Sequence, residues 1–296
     1  MKFAGVPVYG VELSLTDNFV TAGNPDWIQI RAREENICFQ KEALLNVAET
    51  IVPEQYTKIA WLDHDIYFEN QNWYEDTSKA LDTYNLVQLF DKCVWTDAYG
   101  EEERTAKSIF SLPKPITEET LIPPFWSPDI IHHSGFALAA KRDLWKKGVK
   151  LYPYNFIGGG DNVVAEAALF KDMTPRALRI AYQKVEAKPD SAFEYYYTWK
   201  QAFYEFVQEQ YSFIPGKVYH EFHGSRQNRK YGFREKMLAL YNINVKNNII
   251  LSVKGILTIK NPPAGFLEAL KLYFIDRRED EIFNQTIKGI DHNPAP

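Results

Sequence analysis

The feature that most restricts the fold of this chain is a short apolar run, Lys58–Leu62, that ends abruptly at Asp63-His64-Asp65. A run of this length without a polar face is typical of a strand that is covered on both sides in an α/β protein. Ligands in such proteins gather outside the carboxyl ends of the strands. The run therefore predicts a buried strand that delivers two carboxylates to a ligand site.

Further strand and helix patterns alternate along the chain. Strand patterns occupy Trp27–Arg31, 86–90 and 134–140, and helical periodicity marks 34–52, 73–84 and the segment that starts at Asp161. This alternation predicts an α/β fold of the nucleotide-binding, Rossmann-like kind with a mostly parallel central sheet.

Two other segments complete the predicted organisation. Residues 97–128 are polar, charged and contain several prolines, which is typical of a long functional loop. The C-terminal residues have a mixed pattern, and no linker separates them from the rest. We therefore expect one domain, residues 1–235, with residues 236–296 forming a helical or mixed appendage packed on it.

Composition narrows the class of protein. The chain has 296 residues, 25% of them charged, with a net charge of -5 and a pI of about 5.8. A protein that binds a nucleic-acid backbone by charge is usually basic, so a nucleic-acid partner is not favoured. No run of about 18 apolar residues occurs, which predicts that the chain has no membrane span. Two lone cysteines, Cys38 and Cys93, and the lack of a secretory signal pattern favour a cytoplasmic protein.

The Asp63-His64-Asp65 triplet has two interpretations. A divalent cation held by hard oxygen ligands at the end of the strand would also bind the diphosphate of a nucleotide. Asp63 and Asp65 are the candidate ligands for that cation. The alternative is a plain turn that the two aspartates cap, because acidic pairs at this spacing are common.

Two later motifs carry residues that suit the same chemistry. Three glycines, 158–160, precede Asp161 at a predicted helix start, where they allow a backbone to approach a ligand closely. His220 and His223 lie three residues apart, and an imidazole would complete a metal site whose other ligands are aspartates. Each motif also has a simpler interpretation, since Asp161 would serve as a helix N-cap and the histidines as a surface pair.

The three motifs in this order resemble the GT-A glycosyltransferases, especially the inverting β-galactosyltransferase-like group. The resemblance covers roughly residues 27–235. The family has a segment in which a glycine is followed by a basic residue and then by a bulky one. Gly135, Phe136, Lys141 and Leu144 match this segment. Its glycine-rich acidic motif is matched by residues 158–161, although the family's usual pair of acids is reduced here to Asp161, with Asn162 after it.

The resemblance implies a role for each of these residues. Asp63, Asp65 and His223 would bind Mn²⁺ or Mg²⁺ and, with it, the diphosphate of a nucleotide sugar, with UDP as the expected nucleotide. His223 is preferred to His220 because Gly224 beside it leaves room for the diphosphate. Asp161 would be the general base of an inverting transfer. Contacts to the nucleotide or diphosphate are implied for a set of arginines and glycines: Arg31, Arg33, Gly159, Gly160, Arg226 and Arg229.

The function expected from the sequence is transfer of a sugar from a nucleotide sugar to an acceptor hydroxyl. The acceptor would be a glycan, a lipid-linked intermediate, a protein or a nucleobase, and a bacterial or viral source is suspected. Three alternatives stay open: an inactive nucleotide-sugar or glycan-binding protein of the same fold, a viral-type transferase acting on a modified DNA base, and a metal-assisted hydrolase. The arginines after the histidines could equally face solvent.

Overall fold

Thirteen strands and eight α-helices lie in the part of the chain that the structure, a computed structural model, describes: residues 5–117, 132–171, 195–225 and 228–277. The strands are β1 Gly10–Ser14, β2 Trp27–Arg31, β3 Lys58–Leu62, β4 Ile66–Phe68, β5 Leu86–Gln88, β6 Lys92–Thr96, β7 Glu102–Ser108, β8 His132–His133, β9 Ala137–Lys141, β10 Tyr211–Phe213, β11 Lys217–His220, β12 Ile249–Leu251 and β13 Leu257–Ile259. The helices are α1 Lys41–Ala48, α2 Trp73–Thr83, α3 Asp143–Lys146, α4 Gly160–Leu169, α5 Tyr196–Val207, α6 Tyr231–Leu240, α7 Val245–Asn248 and α8 Phe266–Asp276. Short 3-10 helices cover Glu34–Asn36, Glu49–Ile51 and Ile109–Ser111.

The strands form two larger sheets and two isolated pairs. One sheet has the order β10-β5-β9-β3, and the other has the order β4-β11-β6-β7-β8. β1 pairs with β2, and β12 pairs with β13. The chain passes between the two large sheets several times, and two of these crossings, between β3 and β4 and between β8 and β9, are joined by a backbone hydrogen bond. The candidate site lies at these two crossings.

β9 explains why the four-stranded sheet is covered on both faces. It lies between β3 and β5, and its first four residues are at most 1% exposed. Leu138 and Ala140 belong to a cluster with residues of α4 and α5, whereas Ala137 and Ala139 belong to a cluster with residues of α2. Because successive side chains of a strand point to opposite faces, one short apolar run fills two layers.

The predicted mixture of helices and strands is confirmed, but the mostly parallel central sheet is wrong. β9 runs antiparallel to both β3 and β5, and only β10 and β5 are parallel within that sheet. The five-stranded sheet contains two parallel and two antiparallel pairs. A strand covered on both faces has the same apolar pattern whichever way its neighbours run, so the sequence did not reveal the directions.

The functional loop predicted at 97–128 is wrong for residues 102–108, which form β7 and pair with β6. Only Ala106 and Ser108 of this strand are buried, and most of its other side chains are exposed. The strand therefore reads as a polar segment although it is hydrogen-bonded in a sheet. Residues 118–128 lie outside the described ranges.

The division predicted between residues 235 and 236 falls inside α6. Side chains near the start of α1 also bond to the β12–β13 pair. The Asn36 side-chain amide donates to the Leu257 carbonyl oxygen at 2.9 Å, and Gln40 both donates to that oxygen and accepts from the Leu257 amide, at 2.8 Å each. The division into residues 1–235 and 236–296 stays a prediction.

Candidate metal centre and carboxylate cluster

The site is built on the two crossings between the large sheets. β3 ends at Leu62, and the next residue, Asp63, donates its backbone N–H to the carbonyl oxygen of Phe136 at 2.8 Å. Phe136 lies in the second crossing, between β8 and β9. This bond fixes the acidic triplet against the segment that carries Gly135 and His133.

Asp65, His220 and His223 bring three donor atoms together. The Asp65 Oδ2 atom lies 2.8 Å from His223 Nε2 and 3.4 Å from His220 Nε2, and the two imidazole nitrogens are 3.1 Å apart. β11 pairs with β4, which places His220 opposite Ile66, directly after Asp65. The backbone N–H of Glu221 also donates to the Asp65 carbonyl oxygen at 2.9 Å. The fold thus joins residues that are more than 150 positions apart in sequence.

These three atoms have the spacing of ligands to one cation. An octahedral ion with bonds of about 2.1 Å places neighbouring ligand atoms about 3.0 Å apart. The two imidazoles suit first-row transition-metal ions, and the carboxylate suits Mn²⁺ among them. The second carboxylate oxygen, Asp65 Oδ1, is buried with no hydrogen-bond partner in the described structure. An unsatisfied buried oxygen is costly, and a cation would satisfy it.

The protonation states also suit metal binding. Burial lowers the pKa of His220 to about 4, so that its ring is neutral at neutral pH. Burial acts to raise the pKa of Asp65, but the hydrogen bond from His223 and the nearby histidines together outweigh it, and that pKa falls to about 2. A neutral imidazole and an ionised carboxylate are the forms that bind a metal.

Lys41 joins the other aspartate of the triplet to the aspartate of the glycine motif. Its Nζ atom lies 2.6 Å from Asp63 Oδ1 and 3.0 Å from Asp161 Oδ1. Asp63, predicted as a metal ligand, is thus engaged by a lysine. Among the described residues, the side chains that could hold a metal ion are Asp65, His220 and His223, which we call the metal-binding group. The contact of Asp63 with a bound cation stays a prediction.

Charge is concentrated around Lys41. Burial alone would lower the pKa of its ammonium, but the charges of Asp161 and Asp63 raise it above the usual value. Burial acts to raise the pKa of Asp161, yet Lys41 holds it below the usual value. Burial raises the pKa of Asp63 to about 6 and that of Glu42 to about 7. Three carboxyl groups therefore surround one ammonium.

Phe136 links the carboxylate cluster to the metal-binding group. Its ring stacks on His133 at a centroid distance of 4.0 Å and on His220 at 4.6 Å. His133 is also one of the groups whose charge acts on Asp161. The φ of Phe136 is 72°, in the left-handed region that a bulky residue rarely adopts. Such strain persists only where the surroundings impose it, which is common at functional sites.

The three glycines of the glycine motif lie against neighbouring side chains. A Cβ built on Gly158 or Gly159 would lie 3.0 Å from the guanidinium of Arg234, and one built on Gly160 would collide with Glu42. The ligand contacts predicted for Gly159 and Gly160 stay predictions.

Asp161 is not the helix N-cap that the simpler interpretation expects. Gly159 is the N-cap of α4, Asp161 is its second residue, and no side-chain capping bond is formed. The carboxylate lies instead against Gly135, where a Cβ would be 2.6 Å from Asp161 Oδ2. Any side chain at position 135 would therefore collide with the Asp161 carboxylate. The surface-pair interpretation of the histidines is also wrong for His220, which is 5% exposed.

The arginines predicted to contact the nucleotide or diphosphate lie in different places relative to the metal-binding group. Arg31 and Arg33 are exposed, and the Nε atom of Arg31 pairs with Asp17 Oδ1 at 3.0 Å. Arg229 reaches the metal-binding group, with its Nη2 atom 2.7 Å from His223 Nε2. Arg226 lies outside the described residues. Nucleotide contacts of all these arginines stay predictions.

Sequence reasoning missed Lys41 and Glu42 and placed His223 ahead of His220. A Lys-Glu pair at the start of an amphipathic helix is common and gives no signal of its own. The β11–β4 pairing, which the sequence did not reveal, is what brings His220 beside Asp65.

Comparison with other proteins adds no relationship: no protein-family model, curated protein or solved structure matches this chain. Within the described ranges, none of the helices has the length and apolar character needed to cross a bilayer.

Proposed function

We propose that this chain is a metal-dependent glycosyltransferase of the GT-A type, active in the cytoplasm, that transfers a sugar from a nucleotide sugar to an acceptor hydroxyl. The observation that carries the proposal is the convergence of Asp65, His220 and His223 next to a separate carboxylate cluster that contains Asp161. A cation site alone would suit many functions. A cation site beside an ionised carboxylate suits a reaction in which a charged group leaves and a hydroxyl loses a proton.

The residues would divide the reaction between them. Asp65, His220 and His223 would hold Mn²⁺ or Mg²⁺, and that ion would supply a Lewis acid for the diphosphate of the donor. Asp161 would accept the proton of the acceptor hydroxyl while the oxygen of that hydroxyl bonds to the anomeric carbon. The bond from that carbon to the diphosphate would break, and the nucleoside diphosphate would leave. A single displacement of this kind inverts the anomeric configuration.

Among the described residues, Arg229 is the cation best placed to meet the leaving group. Its guanidinium contacts His223, at the edge of the metal-binding group. Guanidinium groups bind phosphate oxygens in a bidentate manner, and this interaction strengthens as negative charge develops. UDP is the nucleotide expected from the family resemblance, and the acceptor is a glycan, lipid-linked intermediate, protein or nucleobase.

The experiment is a donor screen with purified protein. Release of nucleoside diphosphate from a panel of nucleotide sugars is measured with and without Mn²⁺, and with and without candidate acceptors. We expect Mn²⁺-dependent release that acceptor accelerates, and we expect Asp65→Asn to abolish it. His64→Ala is the matched control, because His64 is exposed within the same triplet and outside the metal-binding group.

Each other outcome has a clear meaning. Release that no acceptor accelerates favours a hydrolase. Binding of a nucleotide sugar without any release favours the inactive binding protein. Acceleration by modified DNA alone identifies the acceptor as a nucleobase. Neither binding nor release for any nucleotide sugar rejects the proposal.

A further inference from the structure

Lys41 is a cation in an unexpected place. It is the first residue of α1, where the partial positive charge of the helix N-terminus disfavours a cation. The stability of α1 therefore does not explain a lysine at this position. Its two carboxylate partners, at 2.6 Å and 3.0 Å, come from a strand end and from another helix.

The contact also remains accessible to a ligand. The side chains of Lys41, Asp63 and Asp161 are 32%, 25% and 31% exposed, so each of them keeps a solvent-facing part. A purely structural ion pair in this protein looks different. Arg142 and Glu49 pair with exposures of 8% and 14%, and Arg142 also donates to several backbone carbonyl groups.

Removal of the ammonium would leave like charges facing each other. Asp63 and Asp161 both point at the Lys41 Nζ atom, and Glu42 lies beside them. His133 and Arg234 also act on Asp161, whereas Lys41 contacts both aspartates directly. Without Lys41 the two aspartates would repel each other and turn apart, because like charges at short range are destabilising.

We propose that Lys41 is a positioning residue that holds Asp63 and Asp161 in one fixed arrangement and thereby sets the acidic triplet relative to the base. This inference rests on the proposed function, because it assigns Lys41 a part in the same reaction. Lys41 acts through the two aspartates rather than on the substrate. Its loss should therefore slow the chemical step more than it weakens donor binding.

The experiment compares Lys41→Met and Lys41→Arg with the wild-type protein in the donor assay. We expect Lys41→Met to lower kcat about 100-fold, as a misplacement of about 1 Å can do, with the donor KM within threefold. Arginine keeps the charge and can bond to two carboxylates, so Lys41→Arg should recover kcat to within tenfold of wild type. Lys58→Met is the control, because Lys58 makes a comparable pair with Asp82 at the far end of β3.

A second measurement does not depend on turnover. The loss of melting temperature caused by Lys41→Met should be smaller in an Asp161→Asn background, because the repulsion is already removed there. An equal loss of melting temperature in both backgrounds would contradict the contact of Lys41 with both aspartates. If Lys41→Met does not fold, Lys41→Gln takes its place, because it keeps a hydrogen-bond donor without the charge.

The outcomes separate this inference from the proposed function. A wild-type protein without donor turnover rejects the proposed function and, with it, the role of Lys41. Normal turnover by wild type together with a normal kcat in Lys41→Met rejects only the role of Lys41. A change confined to KM, or a Lys41→Arg variant as slow as Lys41→Met, overturns the inference as well.

Discussion

The carboxylate of Glu42 lies against the α-carbon of Gly160, in the space that any side chain at position 160 would need. Glu42 is 5% exposed and comes from the first turn of α1, whereas Gly160 begins α4. The two helices that carry Lys41 and Asp161 therefore meet through an acid and a glycine. This contact places an ionisable group in the interior next to the candidate base.

Glu42 should make the stability of the protein depend on pH. Burial raises its pKa to about 7 in the folded chain, above the ordinary value near 4.5. The folded state therefore holds a proton that the unfolded state has lost, and stability falls as pH rises from about 4.5 to about 7. We expect Glu42→Gln to remove this loss, so that the variant is more stable than wild type at pH 8 and similar to it at pH 4.

The measurement is chemical denaturation of both proteins across that pH range. Each unit of pKa difference corresponds to about 1.4 kcal/mol, so a gain of a few kcal/mol for the variant at pH 8 is expected. A difference between the two proteins that does not change with pH would contradict the raised pKa of Glu42.

Both histidines of the metal-binding group should matter for cation affinity. His220→Ala and His223→Ala each remove one nitrogen that faces Asp65 Oδ2, at 3.4 Å and 2.8 Å. Loss of an outer-shell partner of a metal ligand already costs about 10–100-fold in affinity, so loss of a ligand should cost at least that much. Calorimetric titration with Mn²⁺ measures it, and His64→Ala should bind as wild type does. A normal affinity in either variant would remove that histidine from the site.

Asp161→Asn should separate catalysis from folding. Asparagine keeps the shape of the side chain but cannot accept the proton, and loss of a general base costs about 10²–10⁴ in rate. We expect nearly normal binding of donor and Mn²⁺, a large fall in transfer rate, and inverted anomeric configuration in the wild-type product. Product analysis by NMR gives the configuration. A retained configuration, or near-normal turnover of the variant, would show that Asp161 is not the base.

Arg142 should be a main determinant of stability. Its Nε atom pairs with Glu49 Oε1 at 2.7 Å, and its terminal nitrogens donate to the carbonyl oxygens of Pro53 and Val52 at 2.6 Å and 2.8 Å. Removing one partner of a buried pair costs about 3–5 kcal/mol. We expect Arg142→Met to lose about that much, and Arg142→Lys to recover little of it because lysine lacks the planar fork. Lys141→Met is the adjacent control, and an equal loss in that variant would show that the buried pair is not the cause.

The sequence predicted those parts of the fold whose cause is local. The alternation of β2 and the periodicity of α2 each report which faces of one element are buried, and the structure has these elements where they were predicted. β3 also lies where it was predicted, but the expected cover on both sides is wrong, because β3 is an edge strand in which only Trp61 is buried. The directions within the sheets depend on pairing between distant strands, and a local pattern does not record that pairing. The same limit explains why β7, polar on its exposed side, was predicted as a loop.

In the candidate site, too, the sequence predicted some residues and missed those whose role depends on distant contacts. Asp65 and His223 were predicted as partners from their residue types and from the family resemblance, and they lie 2.8 Å apart. Lys41 was missed because its importance comes only from the side chains that it meets, 22 and 120 residues further along the chain. A lysine at a helix start looks the same in sequence whether it faces solvent or two carboxylates.

The bonds from Gln40 to Leu257 have a consequence for synthesis on the ribosome. They hold the residue immediately before Lys41 and span 217 positions. A nascent chain that already contains the acidic triplet, the glycine motif and both histidines still lacks Leu257. The start of α1 thus obtains these partners only after nearly every other part of the site has been made, so the helix that carries Lys41 gains its full support late in translation.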